Sequence, residues 1–239
     1  MSSNTRVARW GRVARVDRTE VDQVEIFRTA ELRSLLDVTL RDYPSLHPFV
    51  LILARTGLRL GEAFALQWAD IDFAQRTIIV RRSRRRGETK IPKNGKARRV
   101  DMSRQLCDVL RSWQTLQQAE AAVAGTESSP LVFPESGAVR EQDTFRRAWH
   151  VILRRADLRY RKPHSLRHTY ASLLIQAGEP LTYVQQQLGH HSAAFTLTAY
   201  AHFIPRADHR AVDALDDATE RNPAATDLDA NRHIALTGR

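Results

Sequence analysis

The chain has 239 residues, of which 42% are hydrophobic and 27% charged. This is long enough for one large folded domain, and too apolar for a chain that is disordered throughout. The single cysteine, Cys107, excludes an internal disulfide and a cysteine-based metal site, and so fits a reducing cytoplasm. No apolar run approaches the ~20 residues that span a bilayer, and the N-terminus lacks the apolar core of a secretory signal. We expect a cytoplasmic protein with no membrane segment.

The net charge of +10 is concentrated in one segment. The chain has 37 basic and 27 acidic residues, and eleven of the basic residues but only one acidic residue, Glu88, lie between Arg76 and Arg99. The rest of the chain is therefore neutral. Such a patch predicts a polyanionic partner, most simply nucleic acid. A solvated charged face is the alternative interpretation.

The N-terminal part of the chain predicts an arm followed by helices. Residues 1–28 carry scattered charge and little periodicity, which is typical of an arm or linker. Thr29 suits a helix N-cap, and the leucines over 32–40 recur at helical spacing. A buried helix is predicted from Phe49, and a second helical pattern runs over 58–66.

The basic segment shows strand patterns instead. Residues 77–80 are rich in β-branched side chains, and 88–91 and 97–100 are further short strand candidates. Asn94-Gly95 between the last two is a strong hairpin signal, because both residues tolerate positive φ. The basic residues are therefore predicted to lie on a small antiparallel sheet and its turns.

The remainder of the chain returns to helical patterns. Ser103 suits the N-cap of a helix that runs to about Ala124. Another helix is predicted after Asp208, and residues 220–239 are polar enough for a flexible tail. Further helices are predicted over 141–157, 164–176, 181–188 and 193–202.

A histidine and an arginine share one face of the helix predicted over 164–176. His164 and Arg167 are three residues apart, and a guanidinium beside an imidazole suits an anion such as a phosphate oxygen. A surface helix start is the alternative interpretation. His164 and His168 also have the spacing of a zinc-binding helix, but Ser165 stands where that motif carries its glutamate, so we expect no metal.

Three other signals are weak when each is taken alone. His190 follows Leu188-Gly189, a pattern typical of a helix end, and could simply cap that helix. Tyr200 could be an ordinary core or surface aromatic residue. Arg59 lies three residues before Glu62, so the two could form a simple ion pair.

Taken together, these stretches resemble the tyrosine recombinase (phage integrase) family. The resemblance extends from about Thr29 to Arg206, and it implies a catalytic domain over 29–219. The implied fold is α+β and mainly α, helical with a small three-stranded antiparallel sheet. The implied function is site-specific recombination for a phage or other mobile element, in which duplex DNA is cleaved and rejoined through a 3′-phosphotyrosyl intermediate without a metal or other cofactor. Five pieces in order carry the resemblance: Thr56-Gly57-Leu58-Arg59, Lys93-Asn94-Gly95-Lys96, His164-Ser165-Leu166-Arg167, Leu188-Gly189-His190 and Tyr200.

The resemblance assigns a role to each matching residue. The arginines and His190 would bind the non-bridging phosphate oxygens, and the accessory Glu62 would orient the first arginine. His164 would accept the proton of the nucleophile, and Lys93, with Lys96 as the alternative, would protonate the 5′-oxygen leaving group. The catalytic residues implied are Arg59, Lys93, His164, Arg167, His190 and the nucleophile Tyr200.

The other basic residues of the segment are predicted to hold the DNA backbone. We expect a homotetramer on paired DNA sites and a monomer in the absence of DNA, with the helix after Asp208 docking onto a neighbouring protomer. The predicted DNA-binding residues are Arg81, Arg82, Arg84, Arg85, Arg86, Lys96, Arg98 and Arg99.

The sequence also departs from the family pattern. About 28 residues precede the first family-like helix, too few for the separate core-binding domain that members usually carry. A fragment, a remnant of an element and a natural minimal form all remain open. Asp101 stands where a proline commonly closes the hairpin, and an extra His191 follows His190.

Two other functions remain as alternatives. One is a DNA-binding accessory or regulatory remnant that keeps the fold without recombination activity. The other is a metal-dependent nuclease built on the histidines, which the shortage of nearby carboxylates disfavours.

Overall fold

Eight α-helices and five short strands form within residues 24–85, 88–90, 97–134, 142–190 and 193–204, which the computed structural model describes. None of the helices in these ranges is long and apolar enough to cross a membrane. The described residues up to Phe203 belong to one compact unit.

The first three helices are α1 (Thr29–Asp42), α2 (His47–Thr56) and α3 (Leu60–Phe64). The predicted N-cap of α1 is wrong by one residue, because Thr29 is already helical and Arg28 takes the cap position. Glu31 accepts a hydrogen bond from the Arg28 backbone N–H at 2.8 Å, which satisfies one of the unpaired donors of the first turn.

The strands are β1 (Ile71–Asp72), β2 (Thr77–Val80), β3 (Ser83–Arg85), β4 (Glu88–Lys90) and β5 (Arg98–Asp101). Three of them form an antiparallel sheet in the order β1-β2-β5, with Ile78 opposite Val100, and β3 pairs with β4 in a separate two-stranded ribbon.

The predicted pairing of 88–91 with 97–100 is therefore wrong. Strands β2 and β5 pair with each other because Ile78, Val80 and Val100 bury apolar side chains on the core, whereas all three residues of β4 are exposed. Asn94 and Gly95, the predicted hairpin turn, lie outside the described residues.

The helices that follow are α4 (Arg104–Ala124), α5 (Gln142–Arg155), α6 (Ser165–Gln176), α7 (Leu181–Leu188) and α8 (Ala193–Tyr200), with a 3₁₀ turn at Ala201–Phe203. Their positions match the predicted helices to within a few residues. The Ser103 hydroxyl accepts a hydrogen bond from the Leu106 N–H, as the N-cap prediction requires. The helix predicted after Asp208 and the tail over 220–239 lie outside the described residues.

The core consists of a large cluster and a small one. The large cluster centres on α2, where Phe49 contacts the rings of Phe64, Phe133 and Phe145. The small cluster joins α6, α7 and α8, and Tyr200 is one of its buried members. The proposed nucleophile therefore lies in a packed part of the fold.

The end of the predicted arm also packs on the core. Phe27 is buried with its ring edge-on to Trp149, and its backbone N–H donates to the Thr169 hydroxyl on α6. This bond ties the segment before α1 to the helix that begins at the His164–Arg167 motif.

Candidate active site

Arg59 lies directly after the turn that ends α2. Gly57 has a positive φ of 61°, and a Cβ there would lie 2.6 Å from the Tyr170 ring, so this turn requires glycine. Glu62 accepts a hydrogen bond from the Arg59 backbone N–H at 2.8 Å and pairs with its Nη1 at 2.9 Å. The same carboxylate thus caps α3 and fixes the guanidinium of Arg59, whose side chain remains 44% exposed.

Glu62 also binds a second arginine, Arg98 on β5. The pair is bidentate, with Nη1–Oε1 and Nη2–Oε2 distances of 2.8 and 2.6 Å, and Arg98 Nε donates to the backbone carbonyl of Gln187. Burial alone would raise the pKa of the Glu62 carboxyl, but hydrogen bonds and charge from Arg98 and Arg59 lower it to about 2. Arg98 was predicted to contact DNA, and the structure instead places its donors on a carboxylate and a carbonyl.

Arg167 is buried between the ends of two helices. Its Nη1 donates to the carbonyl of Gly57 after α2 at 2.6 Å, and its Nη2 donates to the carbonyl of Leu188 at the end of α7. Helix C-termini carry unpaired carbonyls and partial negative charge, which suit a guanidinium. Burial and the neighbouring charge of Arg59 lower the pKa of Arg167 to about 9. The two carbonyls fix this side chain before any substrate binds.

His164 lies at the start of α6 and lines an open cavity of about 500 Å³ together with Arg59, Arg84 and Lys162. Arg84 reaches this wall because Gly61 lets β3 approach α3 closely: a Cβ on Gly61 would lie 2.6 Å from the Arg84 carbonyl oxygen. Burial and the charges of Arg167 and Arg59 lower the pKa of His164, so its ring is neutral near pH 7. The cavity is thus lined by cations and one neutral imidazole.

Tyr200, at the end of α8, is 1% exposed. Its hydroxyl lies 2.7 Å from Nδ1 of His168, one turn after His164 on α6. Burial raises the pKa of Tyr200 to about 12, and burial together with the charges of His164 and Arg167 lowers the pKa of His168 to about 4. The sequence raised His168 only as a possible metal ligand. Its position four residues after His164, on the same helical face, is the signal that could have placed it in the site.

His190 follows Gly189, which ends α7 in the left-handed conformation. A hydrogen bond of 2.9 Å joins its Nδ1 to the Thr196 hydroxyl on α8. Burial and then the charges of Arg167 and Arg59 lower the pKa of His190 to about 3. His190 therefore belongs to the same electrostatic cluster as the two arginines, and it links α7 to the helix that carries Tyr200.

The structure brings together five of the six predicted catalytic residues. We use the name site cluster for Arg59, His164, Arg167, His190 and Tyr200. The sixth residue, Lys93, lies outside the described residues, and so do Arg86 and Lys96.

The remaining predicted DNA-binding arginines lie on or beside the strands. Arg82 pairs with the buried Asp70 at 2.6 Å and Arg81 approaches the same carboxylate at 3.5 Å. Arg99 is 60% exposed and lies 3.5 Å from Asp101. Arg84 lines the cavity described above, and Arg85 ends β3. Of this set, Arg81 and Arg99 are exposed to solvent.

The described residues contain no group of three His, Cys, Asp or Glu side chains that could hold a metal ion. The rings of His164 and His168 meet edge to face at 4.8 Å, and Nδ1 of His168 is bonded to Tyr200. The two histidines with zinc-helix spacing are thus engaged with each other and with the tyrosine.

A family model described as the phage integrase family matches residues 25–205. The chain belongs to the phage integrase family. It is 31% identical over 215 residues to a protein named tyrosine recombinase XerC-like from Caldanaerobacter subterraneus subsp. tengcongensis, covering 82% of this chain and 54% of the relative. The chain spans about half the length of the curated relatives it matches.

Solved structures show the same fold. The XerA recombinase superposes with a TM-score of 0.59 at 26% identity, covering 82% of this chain and 66% of that one. The Tn1549 transposon integrase, in complex with transposon right end DNA, gives a TM-score of 0.62 at 21% identity over 84% of this chain and 68% of that one. The predicted α+β, mainly α recombinase fold is confirmed.

Proposed function

We propose that the chain is the catalytic part of a site-specific DNA recombinase from a phage or other mobile element. It would cleave one strand of duplex DNA with Tyr200, form a 3′-phosphotyrosyl bond and then rejoin the strand. The observation that carries this proposal is the site cluster, in which the charges of Arg59 and Arg167 act on His164 and His190, and the buried Tyr200 interacts with Arg167. The recombinase and integrase names of the relatives support it.

The arginines would stabilise the transition state of phosphoryl transfer. Negative charge builds up on the non-bridging oxygens during attack, and donors fixed in advance lower the barrier because they need no reorganisation. Arg59 faces the cavity, where Glu62 holds it. Arg167 uses two of its five N–H donors on carbonyls, and the others complete the proposed clamp with His190.

Two proton transfers accompany the cleavage. The tyrosine loses its proton as it attacks, and the 5′-oxygen of the leaving strand gains one, which we assign to Lys93. The new phosphotyrosyl bond keeps the energy of the broken phosphodiester, so the 5′-hydroxyl can attack it in reverse without ATP. His164 lines the cavity beside Arg59, on the side where the phosphate would bind.

Covalent capture tests this function without knowledge of the target site. The full chain is incubated at low salt with a pool of nicked suicide duplexes of randomised sequence, denatured in SDS and separated on a gel. Low salt strengthens contacts to the phosphate backbone. We expect an adduct whose DNA maps to Tyr200 by mass spectrometry, and none with Tyr200→Phe.

The same assay separates the alternative functions. A DNA-binding remnant without activity would shift the duplexes on a native gel and give no adduct. An adduct of equal yield with Tyr200→Phe would refute the assignment of the nucleophile, and cleavage abolished by a chelator would favour the metal-dependent nuclease.

We further propose that the protein acts in the cytoplasm, is a monomer when free and assembles as a homotetramer on two paired DNA sites. Recombination exchanges strands between two duplexes, so it needs a cleaving protomer on each half of both sites. Sedimentation velocity with and without the captured duplex measures both states. A stable tetramer without DNA would contradict this proposal.

A further inference from the structure

The partner of the Tyr200 hydroxyl is His168, a residue to which the proposed function gives no role. The 2.7 Å distance from the hydroxyl to Nδ1 is that of a good hydrogen bond, and Tyr200 is almost completely buried around it. The two residues are 32 positions apart in the chain. Their contact therefore depends on the packing of α6 against the end of α8.

The protonation states fix the direction of this hydrogen bond. With a pKa of about 4, His168 is neutral near pH 7, and with a pKa of about 12 Tyr200 keeps its proton. The phenol therefore donates to Nδ1, and the imidazole carries its own hydrogen on Nε2. The charged and titratable groups around this imidazole are His164, Arg167 and His190.

The two histidines of α6 occupy different positions in the site. His164 lines the cavity beside Arg59, where the phosphate would bind. The ring of His168 lies between the other two rings, 4.8 Å from that of His164 and 5.9 Å from that of Tyr200, measured between centroids. The first histidine thus faces the phosphate side, and the second contacts the nucleophile.

We propose that His168, and not His164 as the family resemblance implies, is the catalytic residue that accepts the phenolic proton of Tyr200 during cleavage. This inference rests on the proposed function. As the phenolic oxygen forms its bond to phosphorus, its proton moves to Nδ1 of His168, and the bond from phosphorus to the 5′-oxygen breaks. The leaving oxygen takes a proton from Lys93. In rejoining, the 5′-hydroxyl attacks phosphorus and returns its proton to Lys93, while the bond from phosphorus to the phenolic oxygen breaks and His168 returns its proton to Tyr200, so the cycle is balanced.

Charge explains why the proton moves only when DNA is bound. In the free protein, burial and the nearby positive charge of Arg167 disfavour a protonated His168 imidazole. A phosphodiester anion between the arginines offsets that charge and so raises the proton affinity of His168. Attack also transfers charge from the phenolic oxygen to phosphorus, so proton transfer and bond formation assist each other.

Single-turnover cleavage of a duplex selected by covalent capture tests this role. His168→Gln can still hydrogen bond to Tyr200 but cannot take its proton, and we expect it to cleave roughly 10²–10⁴-fold more slowly than the wild type. Added imidazole should restore part of the rate to His168→Ala. His150→Ala, a matched histidine on the exposed side of α5, should cleave like the wild type.

Two further readouts are the pH dependence of the cleavage rate and the effect on that rate of a more acidic phenol at position 200. Wild-type cleavage should be flat between about pH 6 and pH 8, whereas cleavage by His168→Ala should rise with pH because the phenol must then ionise without a base. Replacing Tyr200 with a difluorotyrosine, whose phenol is more acidic, should restore much of the rate to His168→Ala.

The outcomes distinguish this inference from the proposed function. Absence of a wild-type adduct would refute the function and the role of His168 together. A wild-type adduct with an unchanged or faster rate in His168→Gln would refute only the role of His168. A folded His168→Ala that neither imidazole nor difluorotyrosine rescues would show that the histidine supports only the structure, and would overturn the proposal as well.

Discussion

Arg98 and Arg99 are neighbours on β5, yet they belong to two different regions of the molecule. Successive side chains of a strand point to opposite faces, and here one face is the interior of the site and the other is solvent. Arg98 is 15% exposed and pairs with the buried Glu62, whereas Arg99 is 60% exposed beside Asp101. Position on the strand separates an arginine that binds the buried carboxylate of the site from one that is open to solvent.

The same contrast holds for the molecule as a whole. The net charge of +10 arises from the strand segment, but the site cluster comes entirely from the neutral remainder of the chain. Under the proposed function, charge would indicate where the DNA backbone is held and would say little about where it is cleaved. Each of the following variants tests one side of this division.

The largest effect is expected from Arg167→Lys. A lysine keeps the charge but cannot bond to the carbonyls of Gly57 and Leu188 while also reaching a phosphate. We expect cleavage to slow by about 10²–10³-fold, with little change in DNA affinity. Single-turnover kinetics measure the cleavage rate, and a binding titration measures the DNA affinity. Arg155→Lys, at an exposed position at the end of α5, is the matched control. A loss of rate below tenfold in Arg167→Lys would contradict the proposed role of Arg167 in binding the phosphate.

Arg98→Met should have the next largest effect, on stability and rate together. It leaves the Glu62 carboxylate buried with one arginine instead of two, and removing one partner of a buried pair costs roughly 3 kcal/mol. Because Glu62 also orients Arg59, the Arg59 side chain should be held less firmly in the variant, and we expect slower cleavage. The salt dependence of DNA binding should not change. A reduced salt slope would show that Arg98 contacts DNA after all, as its place in the sequence suggests.

The Glu62–Arg98 pair is difficult to predict from the sequence for a physical reason. Helix ends such as Ser103 and Gly189 are local signals, and they were predicted correctly because the residues that decide them are adjacent. The pairs Glu62–Arg98 and His168–Tyr200 join residues 36 and 32 positions apart, so only the packed fold brings them together.

Strand pairing was mistaken for the same reason. The Asn94-Gly95 turn signal is local, but the choice of partner depends on which strand buries apolar side chains against the distant core. The site residues themselves were identified through resemblance to a family, since a lone arginine or tyrosine carries no chemical signature.

Acid should destabilise the protein through Glu62. The pKa of this carboxyl is about 2 in the folded protein, against an ordinary value of 4.5, so its contribution to stability is complete above about pH 5 and is lost as pH falls toward 2. We expect the free energy of unfolding, measured with urea, to fall by about 2 kcal/mol between about pH 5 and pH 2.5. Arg98→Met should flatten this part of the curve. An identical acid dependence in the variant would contradict the Glu62–Arg98 pair as its source.

Arg99→Met should have the smallest effect and complete the contrast on β5. Because its guanidinium is exposed and only 3.5 Å from one carboxylate oxygen, losing it should leave the urea midpoint within error of the wild type. Each phosphate contact adds about one to the slope of log affinity against log salt concentration, so the variant should lower that slope by about 1. Its cleavage rate at saturating DNA should equal the wild-type rate, because the side chain is available to the backbone and has no part in the chemistry. A variant that loses rate at saturation and keeps its salt slope would place Arg99 with Arg98, and the division between the two faces of β5 would then fail.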